Sequence, residues 1–305
     1  MKFYEYFENW IKAYKVGAIR EVTMRKYVQA LKHIKLLEPD LEVEDVNRMT
    51  YQRLMNEYAE THERQTVMDF HHIIKASVLD AVDEGYIKRD PTRKVVIKGK
   101  KSRDKKMKFL SQAEAQKLVE DLDLGDKVNL DWLILLMLKT GLRFAEALGL
   151  TPEDFNFQNQ TITINKTWDY KGLEGGKFTE TKNLSSMRTI SLDWQMVIQF
   201  SNLIKDLPKS KPIFVEEGKK IYNSTVNHIL ERHCKNAGIT VITVHGLRHT
   251  HASLLLLNGV SIASVARRLG HSNMTTTQKT YLHIVEELEN KDKNLIMVSM
   301  ANLSF

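Results

Sequence analysis

The sequence predicts a mainly α fold: a helical N-terminal domain, then a mostly helical C-terminal domain carrying one small antiparallel β-sheet. Three observations carry the prediction. Apolar residues recur at helical spacing through most of the 305 residues. Strand-like alternation is confined to a central stretch between Thr161 and Leu192. A segment dense in Lys and Arg, with Pro and Gly, runs from Lys88 to Lys108 and divides the chain into 1–88, a linker over 89–108, and 109–305. The length suits two ordinary domains.

The elements follow in order. Phe3, Phe7, Trp10, Ile11 and Tyr14 share one helical face. Thr23 is placed to cap a second helix bearing Tyr27, Leu31 and Ile34, and Thr50 a third bearing Leu54 and Tyr58. A longer helix carries Val67, Phe70, Ile74, Val78 and Ala81 and stops near Gly85. Past the linker, Ser111 and Glu114 have capping-box spacing. The helix from Asp131 to Lys139 ends at Gly141, and another starts near Arg143. Thr161 to Ile164 alternates as a strand, and Lys177 to Leu192 reads as a hairpin around Asn183-Leu184-Ser185. After Asp193 the pattern is helical almost to the end, including Tyr222 to Ala237.

Composition narrows the partners. Lys and Arg number 45 against 38 Asp and Glu, a net charge of +7, which favours a polyanion such as nucleic acid. One cysteine, Cys234, excludes an intrachain disulfide framework and fits a reducing compartment; it reads as a packing residue. The apolar runs Trp132–Leu138 and Leu254–Leu257 fall far short of a membrane span, and the acidic, amphipathic N-terminus is no signal peptide. The expectation is a cytoplasmic protein.

Four clusters carry candidate chemistry. In TGLRFAEALGL, Arg143 begins a helix and Glu146, three residues on, is placed to hold its guanidinium. In TETKNLSSMRTISL, Lys182 stands at the tip of the expected hairpin. In TVHGLRHTHASLLL, His245 and Arg248 lie at the entry to a helix, where free N–H groups and the dipole favour a phosphate. In RRLGHSNMTTTQKTYLHI, His271 follows a helix-ending Gly270 and Tyr281 comes shortly after. Taken singly, each has an ordinary explanation as a surface, turn or packing residue.

Taken together and in this order, the clusters resemble the catalytic domain of the tyrosine recombinases, the phage-integrase family, with Arg143, Lys182, His245, Arg248, His271 and Tyr281 at the family's positions and none substituted. The wording of the first and third motifs is similar to integrases of Gram-positive phages and conjugative transposons, and the N-terminal helical part resembles their core-site-binding domain. The resemblance implies a site-specific recombinase that integrates or excises a mobile element. Tyr281 would attack the scissile phosphate and form a 3′-phosphotyrosine, Arg143 and Arg248 would grip the phosphate, and Lys182 would be the general acid. His245 would exchange the proton of the phenol, His271 would be a second phosphate ligand, and Glu146 the acidic support. Neither metal nor any other cofactor is implied, because the phosphotyrosine stores the bond. The residue types suit the task on physical grounds. A phenol with a pKa of about 10 needs a base or a strong phosphate grip, and forked guanidinium groups stabilise charge developing on phosphate oxygens.

The implied partners are double-stranded DNA attachment sites, a homo-tetramer on DNA, and an excisionase or a host architectural DNA-bending protein, acting at the bacterial nucleoid. Within the linker, Lys98, Lys100, Lys101, Arg103, Lys105 and Lys106 are candidate phosphate contacts. The apolar tail Leu295 to Met300, after a charged stretch, is a candidate for docking on a neighbouring protomer. Such integrases commonly carry an arm-site-binding domain ahead of the core-binding domain, whereas this sequence starts almost directly at the core-binding part. Rival readings are weaker. A metal site built on His245 and His249 lacks the adjacent glutamate and a second cysteine. GLEGGK, from Gly172 to Lys177, has the wrong spacing for a phosphate loop. A DNA-binding regulator on a recombinase scaffold would show a broken catalytic set. A type IB topoisomerase shares the chemistry, but the helical N-terminal part and the motif wording favour recombination.

Overall fold

In the computed structural model of the protein, the described residues are 1–101, 109–172, 176–181, 184–216 and 218–281. The chain forms two compact units, Met1–Lys105 and Lys106–Phe305.

The first unit is a bundle of four helices. Helix α1 (Phe3–Tyr14) buries Phe3, Tyr6, Phe7, Trp10 and Ile11, the stripe expected of an amphipathic helix. Helix α2 (Glu21–Leu37) buries Ala30 and Ile34. It begins one turn before the expected cap, with Arg20 rather than Thr23 at the N-cap. Helix α3 (Arg48–Thr61) is capped by Asn47, whose side chain accepts from Met49 and Thr50; Thr50 is the reciprocal partner in the box, not the cap. Helix α4 (Arg64–Asp83) buries Val67, Phe70, Ile74, Val78 and Ala81 and stops before Gly85, whose φ of 79° no other residue type adopts readily. Tyr58 stacks on Phe70 at 4.0 Å between α3 and α4. The described start of the basic segment is docked on this unit. Val95 and Ile97 pack on its core, Gln52 brackets the backbone of Val96, and Lys100 donates to the His62 carbonyl.

The second unit is built around α6 (Leu130–Thr140), in which every residue from Asp131 to Leu138 is buried. A short helix apolar all round belongs at a core centre, where each fully buried aliphatic side chain contributes about 1.5–3 kcal/mol. Helix α5 (Gln112–Asp121) starts at the expected Ser111–Glu114 capping box. Helix α7 (Phe144–Leu148) follows the left-handed turn at Gly141, φ 68°. Five short strands come next: β1 (Phe155–Asn156), β2 (Thr161–Ile164), β3 (Lys166–Trp168), β4 (Phe178–Glu180) and β5 (Arg188–Ser191). Helices α8 (Trp194–Leu203), α9 (Asn223–Asn236), α10 (Val244–Leu257), α11 (Ile262–Leu269) and α12 (Met274–Thr280) follow in its described part. Cys234 is buried in the core, as a packing residue would be.

The strand pairing departs from the expected single hairpin. β4 pairs with β3, while β5 pairs with β2 in the three-stranded order β1-β2-β5, all antiparallel. Burial selects the partners over the local turn signal. Ile162 of β2 sits opposite Ile190 of β5, both buried, and Trp168 packs edge-on against Phe178 at 4.9 Å across β3 and β4. The described residues therefore contain two small sheets rather than one. No helix among them is long and apolar enough to cross a membrane.

Candidate active site

The centre of the site is the C-terminal end of α11. The last carbonyls of a helix have no partners within it and carry partial negative charge. Here they are met by three arginines from three other elements. Arg248, on α10, donates to the Leu269 carbonyl at 2.7 Å and to that of Gly141 at 2.6 Å. Arg143, at the N-cap of α7, donates to the Gly270 carbonyl at 3.0 Å. Arg188, on β5, donates to the Arg268 carbonyl at 2.6 Å. Gly270 ends α11 in the left-handed conformation, φ 68°, and a Cβ there would fall 2.9 Å from the Arg188 guanidinium. The Leu-Gly-His sequence thus has a mechanical reading: the turn needs the glycine, its carbonyls orient the guanidinium groups, and His271 emerges directly after it.

Glu146 ties the arginines to one another. Its carboxylate accepts from the Arg143 backbone at 3.0 Å, from the Arg143 guanidinium at 2.7 Å and from Arg188 at 2.8 Å. It is 2% exposed. Burial alone would raise its pKa, but the hydrogen bond and charge of Arg188, then the charge of Arg143, outweigh burial and hold it below the ordinary value. The Arg143 side chain stays 39% exposed while that of Arg188 is 7% exposed, so Arg143 is the one of the two that can still meet a ligand. Burial, with the neighbouring Arg143 charge, lowers Arg248 to about 9, which leaves it cationic at neutral pH.

The nucleophile candidate lies in a small apolar cluster. Tyr281 follows α12, is 1% exposed, and packs with Ala252, Leu256, Val265 and Leu269. Burial, against the opposing pull of Arg248, raises its pKa to about 12. Its hydroxyl lies 2.9 Å from Nδ1 of His249. His249 in turn meets His245 edge-on at 4.5 Å, and His245 is exposed in the first turn of α10. Burial, then the charge of neighbouring groups, lowers His249 to about 4 and His271 to about 4. His271 is oriented by Thr277, 2.7 Å away. His251 is fixed as a neutral tautomer: Nδ1–H donates to the Leu138 carbonyl at 3.0 Å, and Nε2 accepts from Arg268 at 2.9 Å.

Of the residues singled out from the sequence, Arg143, Glu146, Arg248 and His271 converge on the end of α11. Tyr281 joins them through the cluster that includes Leu269, and His245 reaches the phenol only by way of His249. Lys182 lies outside the described residues, as do Arg103, Lys105, Lys106 and the tail Leu295–Met300. Lys98, Lys100 and Lys101 are exposed on the first unit. Two residues in the network carry no catalytic assignment from the sequence: Arg188, and His249, which enters there only as half of the rejected metal pair. Arg188 had a legible signal, because it shares a strand face with buried Ile190 and Leu192, where a charge needs a partner. Among the described residues, no three His, Cys, Asp or Glu side chains cluster as a metal site would.

Comparison with known proteins shows the family. The phage integrase family matches residues 108–287, and the phage integrase SAM-like domain matches residues 2–99. A tyrosine recombinase XerC-like protein of Caldanaerobacter subterraneus is 26% identical over 273 residues, 80% of this chain and 69% of that protein. The tyrosine recombinase XerA of Pyrococcus furiosus is 32% identical over 200 residues, 62% of this chain and 64% of that protein. Among solved structures, the Tn1549 transposon integrase in complex with a circular intermediate DNA shares the fold, with a TM-score of 0.75 at 19% identity, covering 92% of this chain and 94% of that one. The chain belongs to the phage integrase family, the tyrosine-type site-specific recombinases.

Proposed function

We propose that the second unit cuts and rejoins DNA with Tyr281 as nucleophile. The phenol oxygen bonds to the scissile phosphorus, the bond to the 5′ oxygen breaks, and the protein is left joined to DNA as a 3′-phosphotyrosine. Rejoining is the reverse attack by a 5′ hydroxyl. Arg143 and Arg248 hold the nonbridging oxygens, His271 adds a hydrogen bond, and Lys182 supplies the proton to the leaving oxygen. The observation that carries this reading is the meeting of Arg143 and Arg248 on consecutive carbonyls, Gly270 and Leu269, with His271 next in the chain.

The buried phenol divides the histidine roles. His249 holds Tyr281 in the resting protein, through the 2.9 Å contact. His245, exposed one turn earlier, accepts the proton once the tyrosine has moved to the phosphate. The first unit and the basic segment bind attachment-site DNA, and the reaction runs in a homo-tetramer on two duplexes in the bacterial cytoplasm, with an excisionase or a host DNA-bending protein as accessory. The tail after Asn290 docks on a neighbouring protomer, and truncation there should abolish synaptic assembly. The test of the chemistry is a nicked suicide duplex made from the DNA flanking this chain's own coding sequence. Wild type should give a covalent adduct on it. Relaxation of supercoils without joining of two duplexes would favour a topoisomerase instead.

A further inference from the structure

We infer that Arg188 is a positioning residue for strand cleavage, acting through Glu146: it neutralises that carboxylate so that the positive charge of Arg143 remains available to the phosphate. The inference rests on the proposed assignment of Arg143 as a phosphate ligand.

Every nitrogen of the Arg188 guanidinium is engaged. Nε donates to the Arg268 carbonyl at 2.6 Å, Nη1 to the Ser186 carbonyl at 2.9 Å, and Nη2 to Glu146 at 2.8 Å. Arg188 differs from Arg248, whose bonds are to neutral carbonyls, in giving one nitrogen to a buried carboxylate. Its charge is spent on Glu146, which is also bonded to Arg143 at 2.7 Å. Two guanidinium groups around one carboxylate leave a net charge of +1, carried on the more exposed Arg143. Without Arg188 the remaining Arg143–Glu146 pair is neutral, and a buried carboxylate with one counter-ion holds that ion tightly. The phosphate would then meet a compensated dipole instead of a cation. The bond to the Arg268 carbonyl adds a geometric effect, because the next two carbonyls, of Leu269 and Gly270, are those that orient Arg248 and Arg143.

A charge role for Arg188 has consequences that a merely structural role would not. Arg188→Met should slow adduct formation roughly 100-fold, the scale of a misplaced reacting group, with attachment-site affinity within about threefold of wild type. Adding Glu146→Gln removes the uncompensated carboxylate and frees Arg143, so the double variant should form adduct at least about tenfold faster than Arg188→Met alone. Arg188→Lys, which keeps the charge and gives up the bonds to Ser186 and Arg268, should lose no more than about tenfold. The measurement is single-turnover adduct formation on the nicked suicide duplex, with thermal unfolding of each variant alongside. Wild-type cleavage by Arg188→Met, or a double variant as slow as the product of the two single losses, overturns the inference. If Arg188→Met does not fold, Arg188→Lys decides it: a loss of 100-fold or more with unchanged melting rules out the charge role. Persistence of adduct in Tyr281→Phe would instead sink the underlying assignment, so the two failures are distinguishable.

Discussion

Replacing His249 with phenylalanine separates holding the tyrosine from activating it. The substitution keeps an aromatic ring between His245 and Tyr281, whose centroids lie 4.5 Å and 5.8 Å from that of His249, but removes the hydrogen bond to the phenol. A buried hydroxyl left unpaired costs about 1–3 kcal/mol, which raises the released fraction of Tyr281 by roughly 5- to 150-fold. As a base in the resting arrangement, His249 is badly matched. Its pKa of about 4 lies far below the value of about 12 for the phenol, so proton transfer between them in the resting arrangement is strongly uphill. The expected outcome is that His249→Phe forms adduct no more slowly than wild type and that Tyr281 becomes more reactive to nitration, read by mass spectrometry. A loss of 100-fold or more in adduct rate, the usual worth of a general base, with nitration of Tyr281 unchanged, would refute the division of roles.

Two other outcomes follow from the same geometry. Gly270→Ala forces a left-handed residue to carry a Cβ that meets the Arg188 guanidinium and the Ser185 carbonyl; it should lower stability by about 1–2 kcal/mol in chemical denaturation and slow cleavage by displacing Arg188. Stability should fall in acid. Burial, then the charge of Arg268, lowers His251 to about 3, and burial with neighbouring charges lowers His249 and His271 to about 4. With folded pKa values below the ordinary 6.5, the unfolded chain binds these protons more readily, so the stabilisation is complete above pH 6.5 and is lost as pH falls toward 3. Urea midpoints at pH 7, 5 and 4 should decline, and His251→Gln should flatten the decline.

Much of the site was legible because its residues sit at helix ends, where local signals are strong. The Ser111–Glu114 box, the stop at Gly141 and the Gly270 turn are short-range features, and Arg143 with Glu146 is a contact three residues apart. What escaped is long-range. Tyr281 reaches His249 across 32 positions and Arg188 reaches Glu146 across 42, distances over which spacing carries no information. The strand pairing failed for the same reason. Asn183-Leu184-Ser185 offered a plausible local turn, but the buried partner of Ile190 is Ile162, which only the folded core selects.

The central claim is covalent chemistry at Tyr281, and the most direct test is the suicide duplex with wild type and Tyr281→Phe in parallel. Removing one buried hydroxyl leaves the ring in its cluster, so the variant should fold and bind DNA. Wild type should give a protein–DNA adduct, mapped by mass spectrometry to Tyr281, and the variant none. An adduct that persists in Tyr281→Phe, or one that maps to another residue in wild type, would contradict it.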